Sequence, residues 1–152
     1  MPHEHGATVE WNRTDEVFTD NRYSRAHKWR FDGGAVVPAS SSPLSVRMPF
    51  SDESAVDPEE ALVAAASSCH MLWFLSLAAR RGFTVDSYVD EAYGVAGKNS
   101  AGKPAFTRIV LRPSIKFSGT KPPTDREVDD LHHRAHDECF IANCLSVEIV
   151  VE

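Results

Sequence analysis

The run DPEEALVAAASSCHMLWFLSLAARRGF, Asp57 to Phe83, constrains this chain more than any other stretch. It carries its own boundaries. Asp57 suits an N-cap, Pro58 the first helical position, and Glu60 completes a capping-box spacing. Glu59 and Glu60 also complement the positive end of the helix dipole. Arg80 and Arg81 followed by Gly82 make an equally clear stop. Between these ends lie about six turns with little polar surface. A helix apolar on every side needs partners all round it. One small sheet and one short helix do not supply enough of them, so a homodimer with this helix at the interface is predicted. Ala61 to Ala79 is just long enough to cross a bilayer. It is rich in Ala and Ser, contains His70 and sits between strand-like segments, so it reads as a core helix, with no membrane partner.

The rest of the chain describes one α+β domain over residues 1–152. Residues 1–20 are polar and expected to be partly ordered at best. From Tyr23 to Phe50 the sequence alternates and is punctuated by DGG and SSSP, which predicts two or three strands with turns. After the helix come two strands, Ser87 to Ala96 and Phe106 to Phe117. In the second, Thr107, Ile109 and Leu111 alternate with Arg108, Val110 and Arg112. A second, shorter helix starts at Pro122 to Asp125 and runs to about Cys139. A last strand places Leu145, Val147, Ile149 and Val151 on one face. Strands, long helix, two strands, helix, strand is not the alternation of a parallel α/β fold.

Charge and cysteines narrow the function. Sixteen Lys and Arg against 22 Asp and Glu leave a net charge of −6, which gives nucleic acid no footprint to hold. The N-terminus has no apolar core or cleavage pattern of a signal peptide, and three cysteines make a poor disulfide framework. The expected compartment is the cytoplasm. Cys69 lies mid-helix beside the small residues Ser67 and Ser68. It is either a buried apolar filler or a working thiol. Cys139, at the expected end of the second helix, is a candidate to meet it. A rival reading is a metal site: His132, His136 and Cys139 fall at i, i+4 and i+7, with Asp129 one turn earlier. A third is a non-catalytic dimer binding an apolar ligand beside Cys69. Trp73 and Phe74 either line such a pocket or fill the core.

The segment DPEEALVAAASSCHM, followed about seventy residues later by AHDECFIAN, resembles the superfamily of osmotically inducible protein C (OsmC) and organic hydroperoxide resistance (Ohr) proteins. The resemblance covers roughly residues 25 to 152. It implies an OsmC-like fold, with antiparallel sheets, a long buried central helix and an intertwined dimer. It also implies a thiol-dependent reductase of organic hydroperoxides, and of hydrogen peroxide as a further substrate. Cys69 would be the peroxidatic thiol, Cys139 the resolving one, and Glu59 the holder of an arginine that stabilises the thiolate. Arg47, then Arg30, then Arg25 are the candidates for that arginine. No organic cofactor is implied beyond an external dithiol, a lipoyl-type donor or a small thiol. Glu59 and Cys69 are ten residues apart on one helix, about 15 Å. An arginine held by Glu59 therefore acts most easily on the thiol of a second subunit. Three departures from the usual pattern stand out. Asp57 replaces Asn, His70 stands where Phe is common, and Cys144 where Ser is more usual.

Overall fold

A computed structural model of the chain describes residues 2–152. It divides into two compact units, one ending at Ala61 and the other spanning Leu62–Glu152.

In the first unit, strands β1 (Ala7–Glu10), β2 (His27–Phe31) and β3 (Val36–Ala39) form an antiparallel sheet in that order. β1 lies inside the stretch expected to be at best partly ordered. It is a strand because Ala7 to Glu10 pair in register with Phe31 to Lys28. The polar segment after it is anchored by aromatic packing. Trp11 and Phe18 sit with ring centroids 5.8 Å apart, Phe18 and Tyr23 stack at 4.6 Å, and Trp11 Nε1 donates to the Ser24 carbonyl at 2.8 Å. Before the long helix, the Ser40 and Val56 amides donate to the Val56 and Pro38 carbonyls, both at 3.0 Å.

The long helix α1 (Pro58–Arg80) begins and ends where its capping residues predict. The Glu60 amide donates to Asp57 Oδ1 at 2.7 Å, and the Asp57 amide donates back to Glu60 Oε2 at 3.3 Å. At the other end Gly82 has φ +79°, a left-handed conformation that favours glycine, and the Phe83 amide returns to the Ala78 carbonyl at 3.0 Å.

In the second unit the two long strands expected after α1 are four. β4 (Thr84–Asp90) pairs with β7 (Pro113–Ser118), and β5 (Tyr93–Lys98) pairs with β6 (Pro104–Leu111), both antiparallel. The division falls where Asp90 Oδ1 takes the Arg112 amide at 2.6 Å, and where Pro113 has no N–H to give the ladder. Gly94 on β5 lies against the Phe106 ring, where an added Cβ would come within 2.5 Å of ring carbon. Helix α2 (Asp125–Glu138) starts on a complete capping box between Thr124 and Glu127. A five-residue helix α3 (Phe140–Cys144), absent from the sequence expectation, follows at once. It uses part of the predicted last strand's lead-in, so β8 shortens to Glu148–Val151. β8 runs parallel to β6, an exception to the antiparallel expectation.

Two apolar clusters hold this unit. Phe74 and Ala78 of α1 pack with Leu131 and Ala135 of α2 over the β4–β7 pair. Ala66 packs with Ile109 and Leu111 of β6, flanked by Ile149 of β8. The fully buried residues of α1 are Ala66, His70, Phe74 and Ala78, one stripe at a spacing of four. The rest of the helix is half-buried or exposed, Leu72 60% so. By length and composition α1 is apolar enough to cross a membrane, yet only 22% of its most apolar window is buried within this chain.

Candidate active site

The two cysteines of interest come together in the second unit. Cys69 sits on α1 one residue before the buried His70 and is half-buried; Cys139 is 1% exposed. Cys139 ends α2 and starts α3, with its amide on the His136 carbonyl at 3.2 Å and its sulfur accepting from the Ala142 amide at 3.4 Å. Extended backbone at Cys139, φ −67° and ψ 110°, turns the chain between the helices and fixes the thiol there. Burial first, and then the neighbouring Cys69 thiol, push the Cys139 thiol up to about 11. The two thiols are therefore neighbours, and Cys139 holds its proton through the physiological range. Both are free thiols, as is the exposed Cys144.

Beside the thiols lies a polar cluster inside an otherwise apolar core. His70 Nε2 and His132 Nδ1 are 3.0 Å apart, and their ring planes are only 12° from parallel. His132 also packs on the Phe74 ring at 4.5 Å, so it fills the notch between His70 and Phe74, one turn apart on α1. Ser67 hydroxyl donates to Asp90 Oδ2. Tyr88 packs on Phe74 at 5.6 Å, and its buried hydroxyl finds no partner. Burial, then the neighbouring His132 and His136, lower His70 to about 4 against the opposing pull of Asp90. Burial is also the leading cause lowering His132. Both imidazoles are thus neutral near pH 7, one donating and the other accepting. Phe74 is core, not pocket lining.

The metal reading does not survive this geometry. His132 is committed to His70, and His136 is exposed. Among the described residues no group of three or more His, Cys, Asp or Glu side chains is placed to hold an ion.

The first unit contains the acid and the arginines. Glu59 is exposed at the start of α1 and lines an open cavity of about 480 Å³ together with Trp11, Phe18, Tyr23 and Arg25. Arg25 is held by several contacts. It donates to Asn21 Oδ1 at 2.8 Å, to the Asn21 carbonyl at 3.1 Å and to the Tyr23 carbonyl, and its guanidinium lies 3.7 Å from the Tyr23 ring centroid. Arg47 lines a different cavity, of about 310 Å³, and packs on Phe50 at 5.7 Å. Arg30 is paired with Glu10 at 2.5 Å on the exposed sheet. Of the three candidate arginines, Arg25 shares a cavity with Glu59; Arg47 and Arg30 do not line it. The aromatic part of this cavity was hidden in a segment that looks merely polar. Trp11 and Phe18, large apolar residues spaced through it, were the available signal.

Residues 51–152 match the family model described as OsmC-like protein. The chain belongs to the OsmC-like family. An OsmC-like protein of unknown function from Vibrio cholerae is 55% identical, with 99% of each chain covered and a TM-score of 0.98. An organic hydroperoxide resistance protein from Elizabethkingia anophelis is 16% identical with a TM-score of 0.72, covering 99% of this OsmC-like chain and 95% of its own. One from Legionella pneumophila is 13% identical with a TM-score of 0.70, covering 98% and 95%. At these last two identities the likeness is one of fold. The α+β arrangement, with its long helix and its mainly antiparallel sheets, is that of OsmC and Ohr proteins. No curated protein matches the chain.

Proposed function

We propose that this OsmC-like protein is a thiol-dependent peroxidase that reduces organic hydroperoxides, with Cys69 as the attacking sulfur and Cys139 as the resolving one. The observation that carries the reading is the pair of neighbouring free thiols, in which the buried Cys139 is the member held protonated. A resolving thiol has to remain unreacted until its partner is oxidised, and burial of Cys139 keeps it so.

In the first step the Cys69 thiolate attacks the terminal oxygen of the hydroperoxide. The O–O bond breaks, the alkoxide takes a proton and leaves as alcohol, and Cys69 becomes a sulfenic acid. Cys139 sulfur then attacks Cys69 sulfur. The sulfenic hydroxyl leaves with the thiol proton as water, and a disulfide remains. An external dithiol, a lipoyl-type donor or a small thiol, returns both to thiols.

The thiolate needs a cation, and Arg25 is the candidate best supported, ahead of Arg47 and Arg30, because it shares an apolar cavity with Glu59. Ten residues of α1 put Glu59 about 15 Å from Cys69 along the axis. The Arg25–Glu59 cavity would accordingly serve the thiol of a second copy in a homodimer with two equivalent sites. The exposed apolar side of α1 supplies a surface for that copy.

Intact mass and thiol count, before and after one equivalent of cumene hydroperoxide, test the reading. Wild type should lose two protons and two thiols, and Cys139→Ser should stop at a trappable sulfenic acid. Full peroxidase activity in Cys69→Ser would sink the mechanism. Thiols left unchanged in wild type would point to a ligand-binding dimer instead.

A further inference from the structure

The thiol pair sits on two helices whose remaining contact is mainly aliphatic: Ala78, Leu131 and Ala135 with the Phe74 ring. Surfaces of that kind resist separation but hold register along the helix axes less sharply than a directional bond does, because dispersion contacts are individually weak and non-directional. Two directional contacts cross this helix pair: the Arg81–Asp130 ion pair just past the end of α1, and, beside the cysteines, the His70–His132 bond at 3.0 Å. His70 adjoins Cys69 in sequence, and His132 lies two turns before Cys139 on the same face of α2. The near-parallel ring planes suit an in-plane N–H···N bond, and the Phe74 ring closes the third side of the His132 notch.

We infer that the His70–His132 hydrogen bond is a positioning clamp, setting how closely the Cys139 sulfur is held against Cys69 and so how readily the two form a disulfide. The inference rests on the peroxidase reading only for its biological use; the clamp itself acts on any oxidation of this pair. Neither histidine reacts. Their nitrogens hold α2 at one height against α1, and the Cys139 turn between α2 and α3 carries that position to the sulfur. An apolar residue at either position keeps the packing and loses the register. The disulfide then forms from a wider set of helix positions, at lower effective concentration.

The geometry names the variants. His132 bonds through Nδ1, a position the amide of Asn can reach, while His70 bonds through Nε2, a position the longer amide of Gln can reach. In a Cys144→Ser background, reduced protein is equilibrated with mixtures of reduced and oxidised glutathione, and the Cys69–Cys139 disulfide is quantified by mass. Each disulfide formed consumes one oxidised glutathione and returns two reduced. His132→Leu and His70→Leu should lower the effective concentration of the pair by about tenfold, the factor that one net hydrogen bond represents. His132→Asn and His70→Gln should stay within about threefold of wild type. Ile149→Ala, which loosens the other cluster of the same unit, should leave it unchanged and so separates positioning from general destabilisation. The clamp is overturned if the Leu variants match wild type, if the amide variants fall as far as the Leu variants, or if Ile149→Ala falls with them. Glutathione, not peroxide, is the oxidant here. A wild type that forms the disulfide yet ignores cumene hydroperoxide would overturn the peroxidase reading and leave the clamp standing.

Discussion

Two buried side chains, Cys139 and His70, are each pushed by burial away from their ordinary titration range, in opposite directions. Burial and the Cys69 thiol raise Cys139 to about 11, so its thiolate is scarce at neutral pH. Timed iodoacetamide labelling of the reduced protein at pH 7.5 should therefore modify the exposed Cys144 well before Cys139. Equal labelling of the two would mean that Cys139 is open to solvent. His70 moves the other way, to about 4, from burial and then from His132 and His136, with Asp90 opposing. Its folded value lies below the ordinary 6.5, so the unfolded chain binds the extra proton. The stability this neutral histidine contributes is complete above about pH 6.5 and is lost as pH falls toward 4. The shift corresponds to about 3 kcal/mol at most. Urea midpoints for wild type should fall between pH 6.5 and 4.5, and His70→Gln should flatten that fall. An unchanged slope in the variant would assign the acid sensitivity elsewhere.

Among the elements, α1 states its own limits, because capping is settled by residues a turn apart. Asp57 is 7% exposed and accepts the Glu60 amide. Asp57→Ala should cost about 1–2 kcal/mol in denaturant unfolding, and Asp57→Asn, which keeps an N-cap oxygen, only a few tenths. Equal losses would show that the charge, not the cap, matters. The strands were less legible. Alternation from Phe106 to Phe117 identifies the strand faces but not the break at Arg112, which depends on the Asp90 side chain more than twenty residues away. The last strand's alternating Leu145 to Val151 likewise hides that α3 and its exit occupy the lead-in. A sequence pattern carries no sign of whether the remaining four residues pair parallel or antiparallel.

At the scale of the molecule, the outstanding feature is a helix whose composition asks for burial on all sides while its own chain buries one stripe. Light scattering on the eluting protein should give a dimer. Leu72→Arg, placed on the exposed apolar face, should shift it toward monomer without altering the far-ultraviolet spectrum. A wild-type monomer would leave that face unexplained and the Glu59–Cys69 separation unbridged. What the sequence alone determined is what nearest neighbours determine: the start, end and apolar character of α1, the capping box of α2, the α+β order, and a cysteine ten residues beyond a glutamate on one helix. Motif spacing then pointed to the family and to both thiols. The tertiary structure decided that Cys139 lies against Cys69, that His70 faces His132, and that Arg25, rather than Arg47 or Arg30, shares a cavity with Glu59. Those relations join residues distant in the chain. They follow from how α1 and α2 pack and how the first unit's loops close, which local propensity and spacing do not encode.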